Sequence, residues 1–254
     1  MVVPQQLESL VGQSVSNNPL EAAKQRLIVA LDVPTAQAAK EFVDRLEGTC
    51  QWLKIGLELF TAAGPAMVEE LVGRGHSIFL DLKFHDIPNT VAGAVRSAAA
   101  LGVRMMTLHA LGGPSMLAAA RNEMQKVANP PELLAVTILT SMDAAQLGAV
   151  GVAASPGEAA ERLARLGVEA GIRGFVCSPQ EVAALRTMTG SAGILVVPGI
   201  RPAGAALGDQ KRVATPAETL RQGASFLVVG RPITQAANPA LAARQILDEM
   251  ATAL

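Results

Sequence analysis

Eight short apolar runs, separated by stretches rich in Ala, Glu, Arg and Leu, constrain the fold of this chain more than any other feature. They occupy residues 27–31, 52–55, 77–80, 105–108, 133–138, 174–177, 194–197 and 226–229. The intervening segments, such as 158–171 and 217–222, carry apolar residues at helical spacing. Strand–helix alternation of this kind predicts βαβ units and a parallel sheet. Eight units within 254 residues match the size of one barrel. The expected fold is therefore α/β, a single (β/α)8 TIM barrel over residues 25–254 with a short N-terminal extension, residues 1–24. An open dinucleotide-binding sheet fits less well, because Asp32-Val33-Pro34 follows the first run where a glycine-rich turn would be needed. The extension is rich in Gln, Ser and Asn, reads as a loop over residues 14–19 with a short helix near residues 5–11, and is expected to have no catalytic part.

Composition narrows the class. Aromatic residues are only 3%, with no Tyr and one Trp, so the core must be built from aliphatic side chains, as suits buried parallel strands. A net charge of -1 offers no basic footprint for nucleic acid. Cys50 and Cys177 form no CxxC pattern and no disulfide framework, which points to a reduced, cytoplasmic setting. No signal-peptide pattern opens the chain, and no apolar run is long enough to span a bilayer.

Polar residues gather where the strands end, and in a barrel those C-terminal ends form the active-site face. The first strand ends in Asp32, the second carries Lys54, the third ends Asp81-Leu82-Lys83, and the fourth ends in His109. The fifth runs into Thr140-Ser141, the seventh into Pro198-Gly199-Ile200-Arg201, and the eighth into Gly230-Arg231. Strand alternation points Asp81 and Lys83 the same way, with Asp86 in the following loop. A structural salt bridge is one reading of that pair. Yet buried ion pairs stabilise poorly, so four charges at one mouth argue for chemistry. Flanking carboxylates would keep Lys83 an ammonium, a positioned acid rather than a Schiff-base nucleophile.

The last strand suggests a phosphate site. Barrels often bind phosphate at the loops after strands seven and eight. Gly230 admits backbone N–H groups to the oxygens, and Arg231 supplies a charge-assisted fork, while Arg201 and the polar residues 208–212 lie on the long loop after strand seven. The long small-residue loop over residues 199–213 reads as a lid or as a solvated surface loop. His85, His109 and the carboxylates could hold a divalent metal, but their spacing is not that of a ligand set, and Lys83 would repel a cation. His76 reads as a surface turn residue and Cys177 as a small core hydrophobe. The residues alone thus describe a barrel enzyme acting on a phosphorylated small molecule with a lysine acid among carboxylates.

The pieces Ala30-Leu31-Asp32, Lys54-Ile55-Gly56, Asp81-Leu82-Lys83-Phe84-His85-Asp86-Ile87-Pro88-Asn89-Thr90, Leu139-Thr140-Ser141, Pro198-Gly199-Ile200-Arg201, Gly208-Asp209-Gln210-Lys211-Arg212 and Val229-Gly230-Arg231-Pro232-Ile233 resemble the orotidine 5′-phosphate decarboxylases of bacteria. The resemblance runs from about Arg26 to the C-terminus. It implies a reaction without metal or cofactor: loss of CO2 from orotidine 5′-phosphate, leaving UMP. It makes Lys83, Asp81, Lys54 and Asp86 catalytic. It gives Asp32 and Lys54 the ribose hydroxyls, Thr140 and Ser141 the pyrimidine edge, and Arg201, Gly230 and Arg231 the phosphate. Pro198 lies among the substrate contacts, and Gln210 bridges base and phosphate. It also implies a homodimer with shared active sites, Asp86 and Thr90 serving the neighbour. The same fold hosts metal-dependent pentose-phosphate epimerases and hexulose-phosphate synthases, as well as ligand sensors without turnover, so fold alone does not fix activity.

Overall fold

The computed structural model describes residues 18–202 and 214–254. Eight parallel strands close in chain order: β1 (Leu27–Ala30), β2 (Trp52–Gly56), β3 (Ser77–Phe84), β4 (Met105–His109), β5 (Glu132–Val136), β6 (Gly174–Val176), β7 (Ile194–Val197) and β8 (Phe226–Val229). Closure comes from β8 pairing with β1, Leu27 opposite Leu227 and Val29 opposite Val229. All eight apolar runs thus became strands, and the expected (β/α)8 barrel is the fold.

Covering helices follow the strands. They are α2 (Ala36–Arg45), α3 (Leu57–Gly73), α4 (Pro88–Ala99), α5 (Gly113–Met124), α6 (Ala144–Ala149), α7 (Pro156–Glu169), α8 (Val182–Thr189), α9 (Pro216–Arg221), α10 (Arg231–Thr234) and α11 (Pro239–Ala251). Local sequence sets their starts. Ser155 caps α7 through a reciprocal box with Glu158, and Pro156 fills a first-turn position where no N–H is needed. A preceding helix, α1 (Pro19–Lys24), lies inside the stretch read as an extension. Asn18 caps it, and Ala23 is fully buried with the barrel's outer core. The helix expected near residues 5–11 falls outside the described residues.

Strand alternation sorts the core into two shells. Leu27, Val29 and Leu31 face the helices and join the large outer cluster. Ile28 and Ala30 face inward, where they meet Trp52, Phe79, Met105, Leu134, Ile194, Val196, Phe226 and Val228. Trp52 and Phe226 pack edge to face, ring centroids 5.2 Å apart. These side chains plug the lower barrel, so its interior is packed rather than open. Following the same parity upward turns the interior polar: Ala30 leads to Asp32, Trp52 to Lys54, Phe79 to Asp81, and Met105 to Thr107. That change from apolar plug to polar rim positions the site.

Candidate active site

A cavity of about 600 Å³ opens above the plug. Ala30, Phe79, Val136, Val176 and Val228 give it an apolar floor. Asp32, Lys54, Asp81, Lys83, Thr140, Ser141, Pro198, Arg201, Gly230 and Arg231 line it as well. Ten of the expected site residues are therefore brought together. Gln235, on the turn after α10, joins them without having been foreseen.

The charges alternate along one wall. Lys54 Nζ donates to Asp32 Oδ1 at 3.0 Å and lies 3.7 Å from Asp81 Oδ2. Lys83 Nζ donates to the other oxygen of Asp81 at 2.8 Å. Lys54 and Asp81 are nearly covered, their side chains 11% and 14% exposed, whereas Lys83 keeps 31% and Asp32 56%. Of the two lysines lining the cavity, Lys83 is thus the more open.

Simple alternation does not explain how Lys83 reaches its place. β3 pairs regularly with β4 at Phe79–Met105 and Leu80–Met106, then resumes at Phe84–Leu108. Four steps on β3 therefore span two on β4, and the surplus is a bulge. Within it Lys83 adopts φ 50°, the left-handed region. For a residue with a Cβ this costs about 1–3 kcal/mol and persists only where surrounding contacts impose it. The Asp81–Lys83 pair foreseen from the alternation does form, but through this bent backbone.

Gly56 is a second local requirement. Its φ of -98° is open to any residue, so glycine is needed there for space. A Cβ at this position would sit 2.8 Å from Lys54 Nζ and 3.7 Å from Asp32 Oδ1.

On the side of β7 and β8, Arg201 is buried and donates from Nη1 to the Ile200 carbonyl at 2.8 Å. Its backbone N–H bonds Ala214 O at 3.0 Å, so the two ends of the long loop meet at an Ile200–Ala214 bridge. Gln210 and the lid expected over residues 199–213 lie largely outside the described residues. Gly230 precedes α10 directly, placing Arg231 at the cavity rim.

Asp86 and Thr90 stand apart from the cavity. Both are exposed, on the loop after β3 and the first turn of α4. Asp86 Oδ1 accepts the Ile87 N–H at 2.6 Å, and Ile87 itself is 67% exposed.

The histidines form a stack rather than a ligand set. The His85 and His109 rings lie 5.6 Å apart at 21°. His109 Nδ1 accepts the Leu111 N–H at 3.3 Å. Burial, then the neighbouring His85 and Lys83, push the His109 imidazole down to about 4. Among the described residues no three His, Cys, Asp or Glu side chains converge as a metal site. His76 is half-buried rather than fully at the surface, and its imidazole is lowered first by burial and then by Arg74. Cys177 is buried, as a small hydrophobe would be. No helix among the described residues is long and apolar enough to cross a membrane.

A closed barrel with alternating Lys and Asp at its mouth, beside two arginines after the last strands, defines a barrel enzyme with a charged active-site cavity. The family model described as "Orotidine 5′-phosphate decarboxylase / HUMPS family" matches residues 25–246, and the chain belongs to that family. A protein of Anaeromyxobacter sp. (strain K) named orotidine 5′-phosphate decarboxylase is 55% identical over 222 residues, covering 87% of this chain and 96% of its own. A protein of the same name from Opitutus terrae is 53% identical over 224 residues, covering 88% and 97%. Among solved structures, orotidine 5′-phosphate decarboxylase from Lactobacillus acidophilus superposes with a TM-score of 0.78 at 37% identity, covering 89% of this chain and 98% of that one.

Proposed function

We propose that this chain decarboxylates orotidine 5′-phosphate to UMP and CO2, the last step of de novo pyrimidine synthesis. The carrying observation is the run Asp32–Lys54–Asp81–Lys83, each member within 3.7 Å of the next, on the wall of a cavity that Arg201 and Arg231 also line.

Breaking the C6–carboxylate bond leaves its electron pair on C6, with no adjacent π-system to delocalise it. The protein must meet that charge electrostatically, with a cation already in position. The Lys83 ammonium supplies the field and then transfers one proton to C6. The resulting amine regains its proton from water, so the cycle balances without metal, oxidant or cofactor. Asp81 holds Lys83 and faces the departing carboxylate, and Lys54 holds Asp81. Lys54 and Asp32 take the ribose hydroxyls, while Thr140, Ser141 and Pro198 border the base. Arg201, Gly230 and Arg231 bind the phosphate together with Gln210, and the binding energy so gained is used to assemble the reactive arrangement.

The working unit in this reading is a homodimer with shared sites. Asp86 and Thr90 are exposed and lie outside their own cavity, so on their own chain they meet no part of it. Asp86 and Thr90 then complete the neighbour's array. Residues 1–24 carry no part of the reaction, and the enzyme works in the cytoplasm without nucleic acid or membrane.

Loss of the orotidine phosphate ultraviolet absorbance, followed before and after exhaustive EDTA treatment, tests the reading. Undiminished turnover with stoichiometric UMP is expected. Binding without turnover, or activity that vanishes and returns with a divalent cation, would contradict it and favour a sensor or a metal-dependent barrel enzyme.

A further inference from the structure

The bulge in β3 leaves the Lys83 N–H without an acceptor in the regular β3–β4 ladder, because pairing is interrupted between Leu80 and Phe84. A side chain takes that place. Thr107, on β4 and fully buried, accepts the Lys83 N–H on Oγ1 at 2.8 Å. The same hydroxyl donates to Asp81 Oδ1 at 3.1 Å. That oxygen also receives the Lys83 ammonium at 2.8 Å. One hydroxyl therefore touches both the backbone of Lys83 and the carboxylate that holds its head.

We propose that Thr107 is a positioning residue for the decarboxylation read above. Its hydroxyl fixes the left-handed backbone of Lys83 and the rotamer of Asp81 together, and so sets where the Lys83 ammonium stands. The inference rests on that reading of the site. Two features set Thr107 apart from an ordinary core threonine. Its hydroxyl is committed in both directions, once as acceptor and once as donor. Both partners belong to the charged array, whereas Thr137, buried on the loop after β5, donates only to a backbone carbonyl, that of Val176, at 3.1 Å. Hydrogen bonds to charged groups are among the stronger ones, and misplacing a reacting group by about an ångström is costly.

Thr107→Val keeps the shape and removes the hydroxyl. Its kcat for orotidine phosphate should fall roughly thirtyfold, with KM within about threefold of wild type. Thr107→Ser, which keeps the hydroxyl and loses the methyl, should stay within about threefold in kcat even if its melting temperature drops. If the valine variant does not fold, Thr107→Ala against Thr107→Ser makes the same comparison, since both lack the methyl and differ only in the hydroxyl. A valine variant with near-normal kcat, a loss carried by KM alone, or a serine variant as slow as alanine would overturn the proposal. Amide exchange at Lys83 gives a readout independent of turnover: protection should be lost in Thr107→Val and kept in Thr107→Ser, and equal protection would overturn the role. Wild type that fails to turn over orotidine phosphate would instead overturn the functional reading, and the exchange experiment would still decide the place of Thr107.

Discussion

Lys54 Nζ occupies the space that a side chain at residue 56 would need: a Cβ there would lie 2.8 Å from the ammonium. The obstacle is the mobile end of a long side chain, so the fold can accept a methyl group while the site cannot. Gly56→Ala should keep its circular dichroism spectrum and lose little stability. Its kcat/KM for orotidine phosphate should fall about tenfold to a hundredfold as Lys54 leaves Asp32 and Asp81. Kinetics beside a urea titration check this. Normal kinetics would show that Lys54 need not stand where it does.

The proposal that active sites are shared between subunits makes a different demand. Asp86→Ala and Lys83→Ala proteins should each be nearly inactive, because each lacks one member of every site. Mixed under conditions of subunit exchange, they form hybrids in which one site has both mutations and the other has none. At full exchange of equal amounts, about a quarter of wild-type activity should return, as statistical pairing dictates for a two-fold dimer. No recovery after exchange has been verified by mass spectrometry would count against Asp86 acting across an interface.

The stability of the fold should carry the mark of His109. Its imidazole is lowered from 6.5 to about 4, first by burial, then by His85 and Lys83. The unfolded chain therefore binds a proton more readily than the folded one between these values. Stability from this group is full above pH 6.5 and is lost as pH falls toward 4. Urea unfolding at several pH values should show that decline, and His109→Asn should flatten it. An NMR titration of the His109 ring with a midpoint near 6.5 would contradict the assignment.

Much of this architecture was legible in the sequence for a physical reason. Strands of a parallel barrel are buried on both faces, so they appear as unbroken apolar runs such as Ile194-Leu195-Val196-Val197. The charged strand ends stood out because Asp32, Lys54, Asp81 and Lys83 interrupt those runs where burial would exclude unpaired charge. Thr107 did not stand out: between Met106 and Leu108 it reads as an ordinary β-branched strand residue. Its inward parity with Met105 was the available signal, but the reason for its hydroxyl lies 24 residues away, in the Lys83 N–H. The left-handed backbone of Lys83 was equally hidden, since lysine carries no turn signature and the contacts that impose the conformation are tertiary. Asp86 was visible as a carboxylate in the loop after Lys83, but its expected role in a neighbouring site, like that of Thr90, rests on family resemblance, because nothing in one chain's periodicity reports on a second subunit. Gly56 stood within a noted motif, yet its purpose appears only once Lys54 is placed beside it.

The central claim is that the Lys83 ammonium both faces and protonates the C6 carbanion. Orotidine phosphate absorbance followed with wild type and Lys83→Ala at equal concentration tests it directly. Wild type should turn over, and Lys83→Ala should lose at least roughly three orders of magnitude in kcat/KM, about 4 kcal/mol of barrier. A variant that folds normally and keeps activity within about tenfold of wild type would contradict the account.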